Sequence, residues 1–152
     1  MNTPKYIEYV GDRNINSIEE AATYIEVKML PQLHKLGYSN YTLITRGNGE
    51  KIGVCGLYNR EGIEGIDIGF GLLPAYEGQG YAYEASARIL RAAFEEFKID
   101  TVKAITSKRN SASQKLLHKL GMEMIGTTQL PEDGEALLLY TLENKNKLPQ
   151  GI

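Results

Sequence analysis

The sequence predicts one domain of the α+β, or mixed α/β, class. Three observations predict it: an amphipathic helical pattern before residue 40, consecutive β-prone segments between residues 41 and 73, and a later alternation of strands and helices. Elements in this order are typical of a sheet flanked by helices. The length of 152 residues also suits a single domain, which we expect to extend over residues 1–152.

The first predicted helix begins after Ser17, which forms a capping-box pattern with Glu20. Apolar residues then recur at helical spacing as far as Met29. Pro31 lacks a backbone N–H and is expected to kink or break this helix, and Gly37 is expected to end a short continuation.

An antiparallel meander is predicted next, with strands at residues 41–45, 52–58 and 65–73. The first two strands flank Gly47-Asn48-Gly49, whose residues tolerate the positive φ of a hairpin turn. The turn between the second and third strands is short, which makes that pairing antiparallel as well.

The second half of the chain is predicted to alternate, with a helix from Gly80, a strand at 101–106, a helix from Asn110 to Gly121 and strands at 122–127 and 136–142. Glycine is favoured just after a helix end, which is why Gly121 marks one. The polar segment 143–152 is expected to fray.

Composition argues against several classes of function. The chain is 42% hydrophobic and 24% charged, and no apolar run approaches the roughly 20 residues that span a bilayer. Residues 1–10 lack the apolar core of a secretory signal, so a cytoplasmic protein is expected. Cys55 is the only cysteine and there are two histidines, which offer neither a disulfide nor a zinc ligand set. A net charge of −2 with scattered basic residues argues against nucleic-acid binding.

The junction between residues 72 and 82 is a candidate phosphate site. Gly78, Gly80 and Ala82 leave backbone N–H groups uncovered at the positive end of the following helix, where an anion is stabilised. A tight turn without a ligand is an equally good interpretation of the glycines alone. No Gly-Lys-Ser/Thr follows, which excludes the Walker pattern, and the antiparallel strands before the junction fit a dinucleotide fingerprint poorly.

Two further segments carry polar residues that could contact a ligand. Asn110 and Ser113 follow the strand at 101–106, although a capping box between Ser111 and Gln114 would explain both as helix-start residues, and the pattern alone favours that explanation. Asp67 shares a strand face with two glycines, so a ligand has room beside it; a solvated aspartate is the alternative that alternation alone favours.

Together these segments resemble the GNAT acetyltransferase superfamily, and its RimJ/RimL-like branch in particular. The resemblance covers residues 6–142 and is carried by four motifs in order: Ile52-Gly53-Val54-Cys55-Gly56-Leu57, Asp67-Ile68-Gly69-Phe70, Glu77-Gly78-Gln79-Gly80-Tyr81-Ala82-Tyr83-Glu84-Ala85, and Asn110-Ser111-Ala112-Ser113 with Lys119-Leu120-Gly121-Met122. It implies a central, mostly antiparallel twisted sheet flanked by helices. The implied activity is transfer of an acetyl group from acetyl-CoA to a primary amine, either a protein amino terminus or a small amine, without a metal.

The resemblance also implies where coenzyme A binds. The family pattern Gln/Arg-x-x-Gly-x-Gly/Ala, which holds the pyrophosphate, falls on Glu77, Gly80 and Ala82. Glu77 departs from the pattern, so backbone contacts are expected instead, from the loop residues Gly78, Gln79, Gly80, Tyr81 and Ala82. The pantetheine arm is expected to pair with the strand backbone at Leu72 and Leu73, and Asn110 is expected to form a hydrogen bond with the pantetheine side of the cofactor.

Catalytic roles are expected for two residues. By resemblance, Ser113 matches a serine that protonates the departing thiolate, a task that many members of the superfamily give to a tyrosine further along. An alkylamine with a pKa near 10 is mostly ammonium at neutral pH, so the site needs a carboxylate that attracts it and accepts its proton. Asp67 is preferred to Glu84, because Glu84 in the first turns of a helix also favours the helix dipole.

The family usually begins with a strand that this sequence does not show. The strand at 41–45 would then form an exposed edge, which allows a homodimer. Two other functions stay open at this point: a coenzyme A sensor of the same shape without turnover, and a nucleotide-phosphate binder. The acceptor amine is not identified by these motifs.

Overall fold

A computed structural model describes residues 1–131 and 134–145 of the chain. It consists of one six-stranded sheet with helices packed against it. The helices are α1 (Pro4–Tyr9), α2 (Ile18–Tyr24), α3 (Leu30–Leu36), α4 (Tyr81–Glu95) and α5 (Ser111–Lys119). The strands are β1 (Asn40–Ile44), β2 (Lys51–Tyr58), β3 (Ile66–Leu72), β4 (Thr101–Ser107), β5 (Glu123–Thr128) and β6 (Leu137–Glu143). The predicted fold class is confirmed.

The sheet has the strand order β1-β2-β3-β4-β6-β5. Every neighbouring pair is antiparallel except β3 and β4, which α4 connects as a parallel crossover. This parallel pair contains only two residue pairs, Ile66 with Val102 and Asp67 with Lys103. Strand β4, by contrast, pairs with β6 over all seven of its residues. Strands β3 and β4 therefore separate towards their carboxyl ends, which opens a cleft in the sheet.

The hydrophobic core lies between the sheet and α4. Cys55, Leu57 and Ile68 on the sheet are fully or almost fully buried, and α4 contributes Leu90 and Ala93 to the same cluster. Burial of this many apolar side chains is the main contribution to the stability of the fold. The core also holds α4 against β2 and β3, and this contact determines the position of the first turn of α4.

Two helical segments differ from the prediction. Helix α1 was not predicted, although Thr3 caps it and Pro4 occupies its first turn, a common arrangement at a helix start. Pro31 was expected to kink or break the helix; the break was wrong, because a π-helical turn over Ile25–Met29 joins α2 to α3. In that turn the Leu30 N–H donates to the carbonyl of Ile25, five residues earlier, which re-routes the hydrogen bonds just before the proline.

Other boundaries follow the prediction closely. Gly37 ends α3 in the left-handed conformation, with φ of 85°. Of the segment expected to fray, Glu143 belongs to β6, and residues 146–152 lie outside the described residues. No helix within residues 1–131 and 134–145 combines the length and the apolar character needed to cross a bilayer.

Gly56 tests how tightly the sheet is built. A Cβ atom at Gly56 would overlap the carbonyl oxygen of Ser39 and lie 2.6 Å from the Cα atom of Asn40, and backbone atoms cannot move aside easily. Gly56→Ala should therefore lower the free energy of unfolding by about 1–3 kcal/mol, as overpacking usually does. Chemical denaturation measures this change.

Gly71→Ala is the matched control. A Cβ atom there would meet only ring atoms of Tyr6, at 3.8 Å or more, and Val54 at 3.9 Å, which are ordinary van der Waals distances. We expect its stability to stay within about 0.5 kcal/mol of the parent protein. Equal effects of the two substitutions would contradict the packing described for β1 and β2.

Candidate active site

The opening between β3 and β4 is a cleft of about 830 Å³. Its walls come from α1, the end of β3, the loop before α4, the first turn of α4 and the start of α5. The size and concave shape are those of a small-molecule site. The cleft thus brings together segments that are more than 100 residues apart in the sequence.

The loop before α4 presents free backbone donors to this cleft. Gly80 is the N-cap of α4 with φ of 87°, and it offers no side chain to cap the helix. The first helical hydrogen bond runs from the Glu84 N–H to the Gly80 carbonyl, so the N–H groups of the residues between them have no partner within the helix. Tyr81, Ala82 and Tyr83 all line the cleft. The arrangement suits an anion, because unpaired N–H groups and the helix dipole both favour negative charge.

Glu77 stands at the entrance to the same loop and is paired. Its carboxylate lies 2.7 Å from the ammonium group of Lys5, which α1 brings across the cleft. The hydrogen bond to Glu77 raises the pKa of Lys5, so the lysine is charged. The ion pair therefore offsets a negative charge that would otherwise repel an anion bound by the loop.

Helix α1 also contacts the cleft wall that is formed by the turn after β4. Arg109, in the turn after β4, lies 3.6 Å from Glu8 and its guanidinium lies 6.0 Å from the centre of the Tyr9 ring. Lys5 and Glu8 thus tie one short helix to both walls of the cleft.

The start of α5 holds two of the predicted residues. Asn110 is the N-cap of α5, and its Oδ1 accepts a hydrogen bond of 3.2 Å from the Ser113 N–H. The capping box expected between Ser111 and Gln114 was wrong, because Gln114 instead donates to the carbonyls of Ser107 and Lys108. Asn110 and Ser113 both line the cleft, so capping and a place in the site coincide.

Asp67 occupies a different environment from the one predicted. Its side chain is fully buried, and its Oδ1 lies 2.8 Å from Nε of Arg60 in the turn between β2 and β3. The Arg60 guanidinium in turn lies 5.0 Å from the centre of the Tyr58 ring. A solvated aspartate is therefore wrong. The Tyr58 ring lies over Gly69, which is on the same face of β3 as Asp67. The alternation of residues along a strand cannot predict that this face is covered.

The two oxygens of Asp67 are not equivalent. Oδ2 is buried and has no hydrogen-bond partner among the described residues. Burial raises the pKa of Asp67, and the nearby Arg60 opposes this effect only in part. Asp67 is thus a more basic carboxylate than usual, and Arg60 holds it in place through Oδ1.

The residues expected at the site divide into two groups. Eight line the cleft: Leu72, Leu73, Gly78, Gly80, Tyr81, Ala82, Asn110 and Ser113. Two are not among the residues that line it, Gln79 and Asp67; the Gln79 side chain donates to the Ala75 carbonyl instead. The prediction missed Lys5, Tyr6 and Tyr9 of α1, which also line the cleft. Thr3 followed by Pro4 was the signal that could have located them. Within residues 1–131 and 134–145, no three His, Cys, Asp or Glu side chains are grouped as metal ligands would be.

Comparison with known proteins agrees with this architecture. The model of the acetyltransferase (GNAT) domain family matches residues 1–123. The uncharacterised N-acetyltransferase YnaD of Bacillus subtilis is 27% identical over 122 residues, covering 78% of this chain and 72% of the relative.

Among solved structures, an acetyltransferase from Agrobacterium tumefaciens has a TM-score of 0.77 at 22% identity, over 93% of this chain and 80% of that one. Spermidine N-acetyltransferase from Vibrio cholerae, in complex with CoA and spermine, has a TM-score of 0.74 at 14% identity, over 93% and 84% of the two chains. The family match extends over most of the chain and includes the diverging strands and the loop before α4, so the protein belongs to the GNAT family of acetyltransferases.

Proposed function

We propose that this chain moves an acetyl group from acetyl-CoA to a primary amine by direct attack of the neutral amine on the thioester. The observation that carries the proposal is the cleft between β3 and β4, with unpaired N–H groups of α4 on one wall and the start of α5 on the other. Acetyl-CoA supplies the activated acetyl group. The chain binds it, orients it and handles the protons.

The pyrophosphate is assigned to the loop at Gly78, Gly80, Tyr81 and Ala82. Backbone N–H groups there are donors that need no charged side chain, which fits the presence of Glu77 where the family has Gln or Arg. Gln79 does not line the cleft, so its contribution to binding is limited to the shape of the loop.

The pantetheine arm is assigned to the end of β3. Leu73 donates to the carbonyl of Ile52 on β2 and accepts from the Tyr76 N–H, so both of its backbone groups are already used. Backbone groups alternate in direction along a strand, which points those of Leu72 away from β2 and into the cleft. Leu72 therefore supplies the strand hydrogen bonds, and Leu73 contributes its half-exposed side chain. The Nδ2 group of Asn110 is a further donor, since its Oδ1 caps α5.

Proton transfer is assigned to Asp67 and Ser113. Ser113 lies on the cleft wall and can protonate the departing thiolate. Burial raises the pKa of Asp67, which makes it a stronger base than an exposed aspartate, and because it does not line the cleft, a water molecule or a polar side chain must relay the ammonium proton to it. The motifs resemble those of the RimJ/RimL-like branch, and we propose a protein amino terminus or a small amine as the acceptor.

The position of Asp67 also favours one alternative, a coenzyme A-binding module without turnover. If the buried aspartate only holds Arg60 and Tyr58 in place, the cleft binds the thioester without a base. Release of free thiol from acetyl-CoA in the presence of an amine panel separates the two functions. Binding without release would favour the module.

The phosphate loop is tested with Gly80→Val. A β-branched residue is strained at φ of 87°, and it would add bulk at the N-cap, next to the unpaired N–H groups of α4. Acetyl-CoA should raise the melting temperature of the parent protein, because it binds only the folded state. The variant should lose that increase.

Gly121→Val is the matched control for strain. Gly121 has φ of 85° and equally open surroundings, but it lies beyond the end of α5 and does not line the cleft. The control should lose stability and keep the increase with acetyl-CoA. A Gly80→Val protein that binds acetyl-CoA normally would show that the loop assignment is wrong.

The role of Asp67 is tested with Asp67→Asn. As the base, Asp67 should contribute roughly 10²-fold to turnover, the usual scale of general acid–base catalysis, with little effect on acetyl-CoA affinity. Glu64→Gln is the control, since it removes a carboxylate at an exposed position just before β3, three residues from Asp67. Unchanged turnover and an unchanged pH–rate profile in Asp67→Asn would remove Asp67 from the mechanism.

The pH dependence of stability is a separate expectation for the same variant. Because the folded pKa of Asp67 is raised above its usual value of 3.8, the folded state keeps a proton that the unfolded chain releases. The contribution of Asp67 to stability therefore falls as pH rises from about that value through the folded pKa. Denaturation of both proteins between pH 4 and about 7 should show this fall in the parent and not in Asp67→Asn. Parallel curves would contradict the raised pKa.

A further inference from the structure

An ion pair joins the turn after β2 to the strand that supplies one wall of the cleft. Arg60 lies in that turn, and its Nε is 2.8 Å from Oδ1 of Asp67 on β3. The Arg60 side chain is 28% exposed, whereas the Asp67 side chain is fully buried. Arg60 lies outside the four motifs that carry the family resemblance, and it is not among the residues that line the cleft. Neither the motifs nor the shape of the cleft therefore accounts for it.

The position of Arg60 is set by residues outside the cleft. The N–H of Asn59, the residue before it, donates a hydrogen bond of 2.9 Å to Oε1 of Gln32 on α3. The Arg60 guanidinium lies 5.0 Å from the centre of the Tyr58 ring, within range of a cation–π interaction. The Tyr58 hydroxyl in turn donates a hydrogen bond of 2.6 Å to Oδ1 of Asn40 on β1. Helix α3 and strand β1 thus hold both the turn that carries Arg60 and the ring beside it.

The ion pair makes the two oxygens of Asp67 chemically different. Oδ1 is occupied by Arg60, while Oδ2 is buried and has no hydrogen-bond partner among the described residues. Buried polar atoms without a partner are rare in folded proteins, and a role in catalysis is one reason for their presence. A proton that arrives at Oδ2 leaves the ion pair intact, whereas a proton at Oδ1 would have to displace the N–H of Arg60. Oδ2 is therefore the oxygen that is free to accept a proton.

The other charged and titratable groups near Asp67 leave Arg60 as its counter-ion. Among the described residues, no other Lys or Arg side chain lies within 4.0 Å of the carboxylate, and this includes Lys103, its register partner on β4. Burial raises the pKa of Tyr58 and of Tyr6, whose rings lie over the same face of β3, so both hydroxyls stay neutral. A nearby positive charge favours the ionised form of a carboxyl group. Arg60 thus keeps Asp67 available as a base in spite of its burial.

We propose that Arg60 is a positioning residue for proton transfer: it holds Oδ1 of Asp67 and leaves Oδ2 as the atom that receives the proton of the acceptor ammonium. A water molecule relays that proton to Oδ2, and the lone pair of the amine attacks the thioester carbon. The C–S bond then breaks, and the thiolate takes a proton from Ser113. Asp67 and Ser113 return to their starting states by exchanging protons with water. The assignment rests on the proposed function, because it concerns the base of that reaction.

The pH dependence of kcat distinguishes this role from a structural one. Thiol release from acetyl-CoA is followed with putrescine and with an alanine-led peptide, and the faster acceptor is used at saturation. Without the charge of Arg60 the effect of burial is unopposed, so the carboxyl group keeps its proton to higher pH and the acidic limb of the profile moves upwards. At the pH where the parent has half of its maximal kcat, Arg60→Gln should be at least about fivefold slower, and most of this loss should be recovered at higher pH. The KM for acetyl-CoA should change little, because Arg60 does not line the cleft.

Two further variants and one spectroscopic measurement complete the test. Arg60→Lys keeps the positive charge, so its acidic limb should stay close to that of the parent. Arg46→Gln is the matched control, since it removes the same charge from an exposed position in the turn between β1 and β2 and should leave the profile unchanged. A carbon-13 NMR titration of the Asp67 carboxyl group in the parent, with coenzyme A bound, needs no variant. The carboxyl group should titrate at the midpoint of the acidic limb.

The outcomes separate this assignment from the proposed function. An acidic limb that stays in place in Arg60→Gln would overturn the role of Arg60, whether kcat is unchanged or falls equally at every pH. A carboxyl titration in the parent that does not coincide with the limb would also overturn it, even if Arg60→Gln does not fold. Both results leave the transfer of acetyl groups in the cleft intact. A parent protein that binds acetyl-CoA but releases no thiol with either acceptor would overturn the proposed function and the assignment with it.

Discussion

The pairing of β3 with β4 stops after two residue pairs, and the site depends on that constraint. A parallel pair that continued would close the sheet and satisfy the backbone groups at the end of β3. Instead β4 pairs fully with β6, while β3 keeps only β2 as a neighbour along most of its length. The gap leaves a groove and, at the end of β3, backbone groups that β4 does not pair with, which is the kind of edge that accepts an extended segment in β-strand addition.

The rest of the molecule holds the gap open. Helix α4 crosses from β3 to β4 and is anchored in the core through Leu90 and Ala93, so its first turn has a fixed position at one side. Helix α5, capped by Asn110, stands at the other side. Strand β2 approaches β1 so closely at Gly56 that a methyl group has no space, so the two strands are tightly packed there. The cleft is therefore preorganised by the fold.

Much of this could be predicted from the sequence, because the signals were local. Capping at Ser17, the left-handed glycine at Gly37 and the glycines before α4 each have a direct physical cause in the residue itself. The burial of Asp67 could not be predicted, since alternation identifies a face of a strand but not what covers that face. The cover is the Tyr58 ring and Arg60, and their positions depend on tertiary packing. Helix α1 was not predicted because six residues are too few to show a hydrophobic periodicity. It also has no buried residues, so it has no apolar face that a sequence pattern could mark.

The way α1 is attached has a consequence for any measurement on the cleft. Helix α1 has no fully buried residue, and beside its half-buried Tyr6 and Tyr9 it is joined to the two walls through exposed ion pairs, from Lys5 to Glu77 and from Glu8 to Arg109. Mobile ions weaken such pairs, since the screening length falls to about 3 Å at 1 M salt. Ionic strength therefore has two effects. It weakens the attraction between the cleft and an anionic ligand, and it weakens the ion pairs that hold α1 against the cleft. A salt titration of binding reports the sum of the two, and its slope is not a count of phosphate contacts.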